Sequence, residues 1–298
     1  MPTAPRPPAV AGQFYAADGA QLAKEVEGCF TDPRGPGELP PRVRRPDRRI
    51  VAAVVPHAGY PYSGAIAAHA YRRIAAERPP ESVLVLGVDH HGRSRGAALS
   101  DRPWRTPIGP TEIDHALVRA LAQPPIAVDE RAHEAEHSIE VQLPFLEYVL
   151  PRPRFVPLEV AFDSFDRLER IGELVRRAIE GRDVLLVAST DFSHYVPAAT
   201  AERLDRRAID AILHRDAREL YDTVVRDEIS MCGVAPTTVL LAALAGRPLT
   251  AELLRWGHSG EVTPMRDVVG YAALLLSETG PSAGPSLNSG VDSARPFE

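Results

Sequence analysis

Four short apolar runs, RIVAAVV (49–55), SVLVLGV (82–88), RFVPLEV (154–160) and DVLLVAS (183–189), constrain this chain most. They read as buried strands, and stretches of helical spacing alternate with them, near 63–77, 112–122, 138–150, 165–180, 200–225 and 236–245. Two further strands are expected near 250–257 and 267–276. Such alternation predicts an α/β fold with a central, mostly parallel or mixed sheet and helices on both faces. No linker interrupts residues 50–278, so one domain is expected over 10–278. Residues 1–9 are Pro-rich and 279–298 are rich in Gly, Ser and Pro, and both ends are expected to be disordered. The Pro/Arg stretch 31–49 reads as a loop.

Charge and composition narrow the function. Acidic residues number 40 against 34 basic, a formal charge of −6, and no basic stripe with interleaved aromatics stands out. A nucleic-acid partner is therefore not expected. No stretch reaches the roughly 18 apolar residues of a membrane span, and the first residues show no apolar signal core. A cytoplasmic, reducing setting follows as the expectation. There Cys29 and Cys232 need not pair, and Cys232 stays available to a metal or to chemistry.

Three of the strands end alike. The first runs into His57, the second into Asp89, His90 and His91, and the fourth into Ser189, Asp191, Ser193 and His194. In an open α/β sheet, ligands bind outside the carboxyl ends of the strands. One histidine after a strand is more often a hydrogen-bonded structural group; three such ends in one chain point to a shared crevice. A fourth cluster lies in RAHEAEHSIEVQLPFL. There His137 and Glu140, three apart, would share a helix face and are expected to line a pocket wall. His133 sits before the expected helix start, where a satisfied polar helix end is an equal reading. Cys232 precedes Gly233 and an Ala/Leu-rich helix. The helix N-terminus would draw its thiol toward thiolate, and a small buried hydrophobe is the plainer alternative. A thiolate with two imidazoles would give a three-ligand site with open positions. His69, His115 and His214 fall within expected helices and read as structural. The chain shows neither a G-x-S-x-G elbow nor a phosphate-cradling glycine loop.

Seven separated motifs then resemble, in order, the Memo family, also called AmmeMemoRadiSam system protein B. They are AGQFYAADGAQL, PHAGYPYSGAIAAHAY, LGVDHHG, EHSIEVQLPFL, STDFSHY, CGVAPTTVLLAA and GHSGEVTPMRDVVGYAA, spanning about residues 10–276. That family is similar in fold to class III extradiol dioxygenases, which are non-haem iron enzymes. The resemblance implies metal ligands at His57, His90 and Cys232, with His194 as the acid/base histidine. It makes Asp191, His137 and Glu140 pocket groups that orient ligands. The family's usual GP followed by Ser or Asn is here Gly87-Val88-Asp89, which is expected to bring a negative charge beside the metal.

The leading expectation is a metal-dependent redox enzyme of unknown substrate, with Fe(II) the first metal, copper the second and zinc the last. The alternatives are a binding module for phosphorylated peptides or other anions, and, more weakly, a zinc hydrolase. The family name implies a pathway link to a radical-SAM protein and an AMMECR1-type protein. Of the adjacent pair, His90 is the expected ligand and His91 is expected to point away, because a strand alternates its side chains.

Overall fold

The computed structural model describes residues 4–279. In chain order it forms α1 (Gly19–Thr31), β1 (Ile50–Val55), α2 (Tyr60–Ala75), β2 (Ser82–Val88), β3 (Ala97–Leu99), β4 (Glu112–Ile113), α3 (His115–Leu121) and β5 (Ile126–Val128). There follow α4 (Glu130–His133), a 3-10 turn Glu140–Gln142, α5 (Leu143–Val149), β6 (Arg154–Val160), α6 (Phe165–Ile179), β7 (Val184–Ser189) and β8 (His194–Pro197). The chain continues through α7 (Ala198–His214), α8 (Ala217–Arg226), α9 (Val234–Ala243), β9 (Leu249–His258) and β10 (Asp267–Glu278).

One domain results, built on a ten-stranded mixed sheet ordered β5-β3-β6-β2-β7-β1-β10-β8, with β4 beside β6 and β9 beside β10. The central quartet β6-β2-β7-β1 is parallel, and β10 and β3 close it on either side antiparallel. Every residue of β1, β2 and β7 is buried. That explains why these strands read as unbroken apolar runs: helices cover both faces of a parallel sheet, so no face alternates polar. Helix α6 buries Phe165, Leu168, Ile171, Val175 and Ala178 at helical spacing. Its Gly172 lets α9 approach so closely that an added Cβ would lie 2.5 Å from Ala242 Cβ. No described helix is long and apolar enough to cross a membrane.

The structure corrects one expectation at the amino end. Residues 4–9 are not loose: Arg6 is buried and pairs its main chain with Pro103 and Arg105. The Pro content of this stretch suits an extended strap as well as a disordered tail, and a buried arginine decides between them. The segment expected to be disordered at the other end, apart from Thr279, lies outside the described residues. Helices α1 and α4 and the short strands β3, β4, β5 and β8 were not among the expected elements, and β4 takes the start of the helix expected over 112–122.

A candidate metal centre at three neighbouring strand ends

Strands β2, β7 and β1 are adjacent in the sheet, so the polar clusters that follow them meet. From β1, the His57 backbone N–H donates to Asp191 Oδ1 at 2.8 Å, which locks the ends of β1 and β7 together. The His57 Nδ1 lies 3.1 Å from Ser189 Oγ. That hydroxyl already donates to Ser138 O at 2.6 Å and accepts from Gln142 Nε2 at 2.8 Å. Its remaining role is to accept, so His57 carries its proton on Nδ1. The lone pair is left on Nε2, which faces Cys232 Sγ at 3.2 Å.

Cys232 reaches this point because Gly233 follows it. A Cβ on Gly233 would lie 2.2 Å from Thr190 Cβ, so only glycine lets the chain press against β7's end. Gly233 N–H donates to Thr190 Oγ1, and Asp191 N–H points at Sγ from 3.3 Å. The expected drift toward thiolate is reversed. Burial, then the Asp191 charge, push the thiol well above its ordinary range, outweighing the Asp191 and Gly233 N–H groups and Thr190 that pull it down. Without a cation the sulfur keeps its proton.

His90 is held from behind. Glu136 accepts from His90 Nδ1 at 3.0 Å and from its backbone N–H at 3.0 Å. Its Oε1 also accepts the N–H groups of His137 and Ser138, each at 2.8 Å. Burial opposes ionisation of Glu136, yet the His90 hydrogen bond, the charges of His90 and His137 and the Ser138 N–H hold its carboxyl far below the usual range. Burial likewise works against a charged His90, but the Glu136 hydrogen bond and charge raise it overall. The proton on Nδ1 frees His90 Nε2 for a ligand, in the carboxylate–histidine arrangement common behind metals. Sequence reasoning missed Glu136. The available signal was its place in EAEHS, directly before His137.

His137 stacks on His90 with ring centroids 4.8 Å apart and stands edge-on to His57 at 5.4 Å. Burial lowers it to about 4, so it is neutral near pH 7. Burial, then the His137 and His90 charges, also hold His57 well below its ordinary value. His194 donates Nδ1–H to Ser230 O at 2.7 Å, which leaves Nε2 free. It opens β8, three residues beyond Asp191 in the chain. Asp191 is fully enclosed, and burial lifts its carboxyl to about 6.

Other predicted residues lie elsewhere. Glu140 does not face the pocket: its carboxylate takes Arg6 Nη1, the Ala9 and Val10 N–H groups and the Tyr15 hydroxyl. Asp89 turns away from the cluster to cap its own turn, accepting from Arg93 N and from Ser94 N and Oγ. His133 ends α4 and is wholly buried with Glu159, 2.8 Å from Nδ1 to Oε1. Because α4 stops there, His133 and His137 share no helix face. His91 is exposed, with Nε2 bonded to Ala135 O.

One donor atom each from His57, His90 and Cys232 lie within 4.8 Å of one another. Two imidazoles, each with its Nδ1 committed, and a thiol, backed by the buried carboxyls of Glu136 and Asp191, suit a cation. Binding one would supply the charge that draws the thiol proton off. The fold and site therefore define an α/β protein with a His/Cys cluster at the carboxyl edge of its sheet. The sequence profile of the family described as Memo-like protein matches residues 6–275. A MEMO1 family protein of Methanopyrus kandleri is 42% identical over 279 residues, spanning 91% of this chain and 98% of that one. One from Methanothermobacter thermautotrophicus is 41% identical, over 90% and 99%, and one from Aeropyrum pernix 39%, over 91% and 99%. The chain belongs to the Memo family.

Proposed function

We propose that this chain is a metal-dependent redox protein of dioxygenase-like chemistry, its metal held by His57 Nε2, His90 Nε2 and Cys232 Sγ. One observation carries the reading: three donors converge within 4.8 Å while each imidazole's other nitrogen is committed, to Ser189 or to Glu136. Fe(II), or copper second, would supply electron transfer and open coordination positions for a small molecule, whereas zinc would bind the same donors without redox change.

The chain's own residues prepare the rest. Burial keeps His57 and His137 neutral, so they offer lone pairs rather than charge. Asp191 holds the His57 backbone and, with a carboxyl near 6, stores a proton close to neutral pH. His194 presents its free Nε2 as a second proton carrier. The same neutrality weighs against an anion-binding pocket, which needs protonated imidazoles.

Protein purified without oxygen is expected to carry about one iron or copper per chain by elemental mass spectrometry, and Cys232→Ala to lose it. Wild-type protein that neither retains nor takes up stoichiometric iron or copper would overturn the reading. Tight phosphopeptide binding that survives complete metal removal would favour the binding module, and hydrolytic turnover with zinc alone the hydrolase.

A further inference from the structure

Residues 6–15 contribute no metal donor, yet they shape the loop that does the supporting. The Arg6 side chain is 1% exposed. It donates Nε–H to His133 O at 2.7 Å, Nη2–H to Glu136 O at 2.7 Å and Nη1–H to Glu140 Oε2 at 2.6 Å. Its guanidinium lies over the Trp104 ring at 4.0 Å. Glu140 in turn receives Ala9 N–H, Val10 N–H and the Tyr15 hydroxyl, and Phe14 packs on His137 with centroids 4.7 Å apart.

The loop so gripped runs from the end of α4 to the 3-10 turn, residues 134–139, and belongs to no helix or strand. Buried carbonyls need partners, and here those of His133 and Glu136 share one rigid fork of donors. Between them the fork fixes where the chain turns and so where the Glu136 carboxylate emerges. That carboxylate holds both the N–H and the ring of His90. A buried ion pair adds little stability compared with well-packed apolar groups, so what Arg6 contributes here lies in geometry.

We propose that Arg6 is a positioning residue for the metal centre: through the main chain of 133–136 it sets Glu136, and through Glu136 the ring plane and proton position of His90. This rests on the metal reading above. Loss of a carboxylate behind a ligating histidine costs 10–100-fold in metal affinity in comparable sites, and a displaced Glu136 has the same effect.

The test uses the full chain and Co(II), followed by its absorption. Arg6→Met should bind Co(II) about 10–100-fold more weakly, with the sulfur-to-cobalt band retained because Cys232 is untouched. Arg6→Lys should recover part of the loss. Leu117→Ala, a buried truncation on α3 away from the loop, should lower the melting temperature and leave Co(II) affinity unchanged. Wild-type affinity in Arg6→Met, or an equal loss in Leu117→Ala, would overturn the proposal. Where Arg6→Met does not fold, wild-type affinity in Arg6→Lys overturns it. A wild-type chain that takes no Co(II) sinks the metal reading alone. The positioning claim is then decided by the nitrogen resonances of His90: the Nδ1–H form in wild type should give way to mixed tautomers in Arg6→Lys, and an unchanged form would overturn it.

Discussion

At the end of β2 stand two adjacent histidines with different partners. His90 meets Glu136 through Nδ1 and turns Nε2 toward His57 and Cys232, while His91 spends Nε2 on Ala135 O at the surface. Replacing His90 with Ala should abolish metal uptake, and His91→Ala should leave metal content unchanged, as elemental analysis of the two variants will show. The types of residue at this site were legible: imidazoles, a thiol and an aspartate at strand ends already suggested a metal. Strand alternation also separated His90 from His91, but the direction of Asp89 was not legible. Whether Asp89 faced a metal or capped its own turn depended on where Arg93 N and Ser94 N came to lie. Glu136 was hidden for a similar reason. It works from an irregular loop, and its four acceptor contacts reach residues 1 to 46 positions away.

At the level of elements, β2 and the loop beneath it fit without spare room. A Cβ on Gly87 would lie 2.4 Å from Ile139 Cγ1 and 2.7 Å from Ser138 Oγ, both buried. Gly87→Ala should therefore destabilise the fold by about 1–3 kcal/mol. It should also disturb the Ser138–Ser189–His57 chain, so a melt and a metal assay on one preparation will report both losses. Helix α5 supplies a pH effect outside the His/Cys cluster. Burial raises Glu147 to about 7, although Thr106 Oγ1 donates to it at 2.6 Å. A raised carboxyl binds more protons folded than unfolded between pH ~4.5 and ~7, so its contribution to stability falls as pH climbs through that window. Glu147→Gln keeps the acceptor for Thr106. It should stabilise the fold at pH 8 by on the order of 2 kcal/mol after allowing for residual solvent contact, read as a higher melting temperature, and should have little effect at pH 4.5. The buried strands were legible because parallel pairing between two helical layers leaves them apolar throughout. Helix α1 escaped notice although Asp18 caps it and Leu22, Val26 and Phe30 keep helical spacing. It follows a glycine- and aromatic-rich stretch that reads as a loop.

Across the whole molecule, the centre exists because β2, β7 and β1 lie side by side, although β6 comes between β2 and β7 in the chain. The long strands were visible in the sequence and strand order was not, since order is fixed by which crossovers pack, not by any local pattern. The strap at the amino end adds a consequence for how the protein is made and aged. Arg6 and Glu140 are 134 residues apart, so the strap cannot dock until that intervening length of chain has been made. Trimming about ten residues from a loaded protein should release metal faster than it unfolds the sheet, measurable as metal loss against far-ultraviolet circular dichroism over a digestion series. Retention of a bound metal would then be governed by the intactness of this strap, not by the lifetime of the fold.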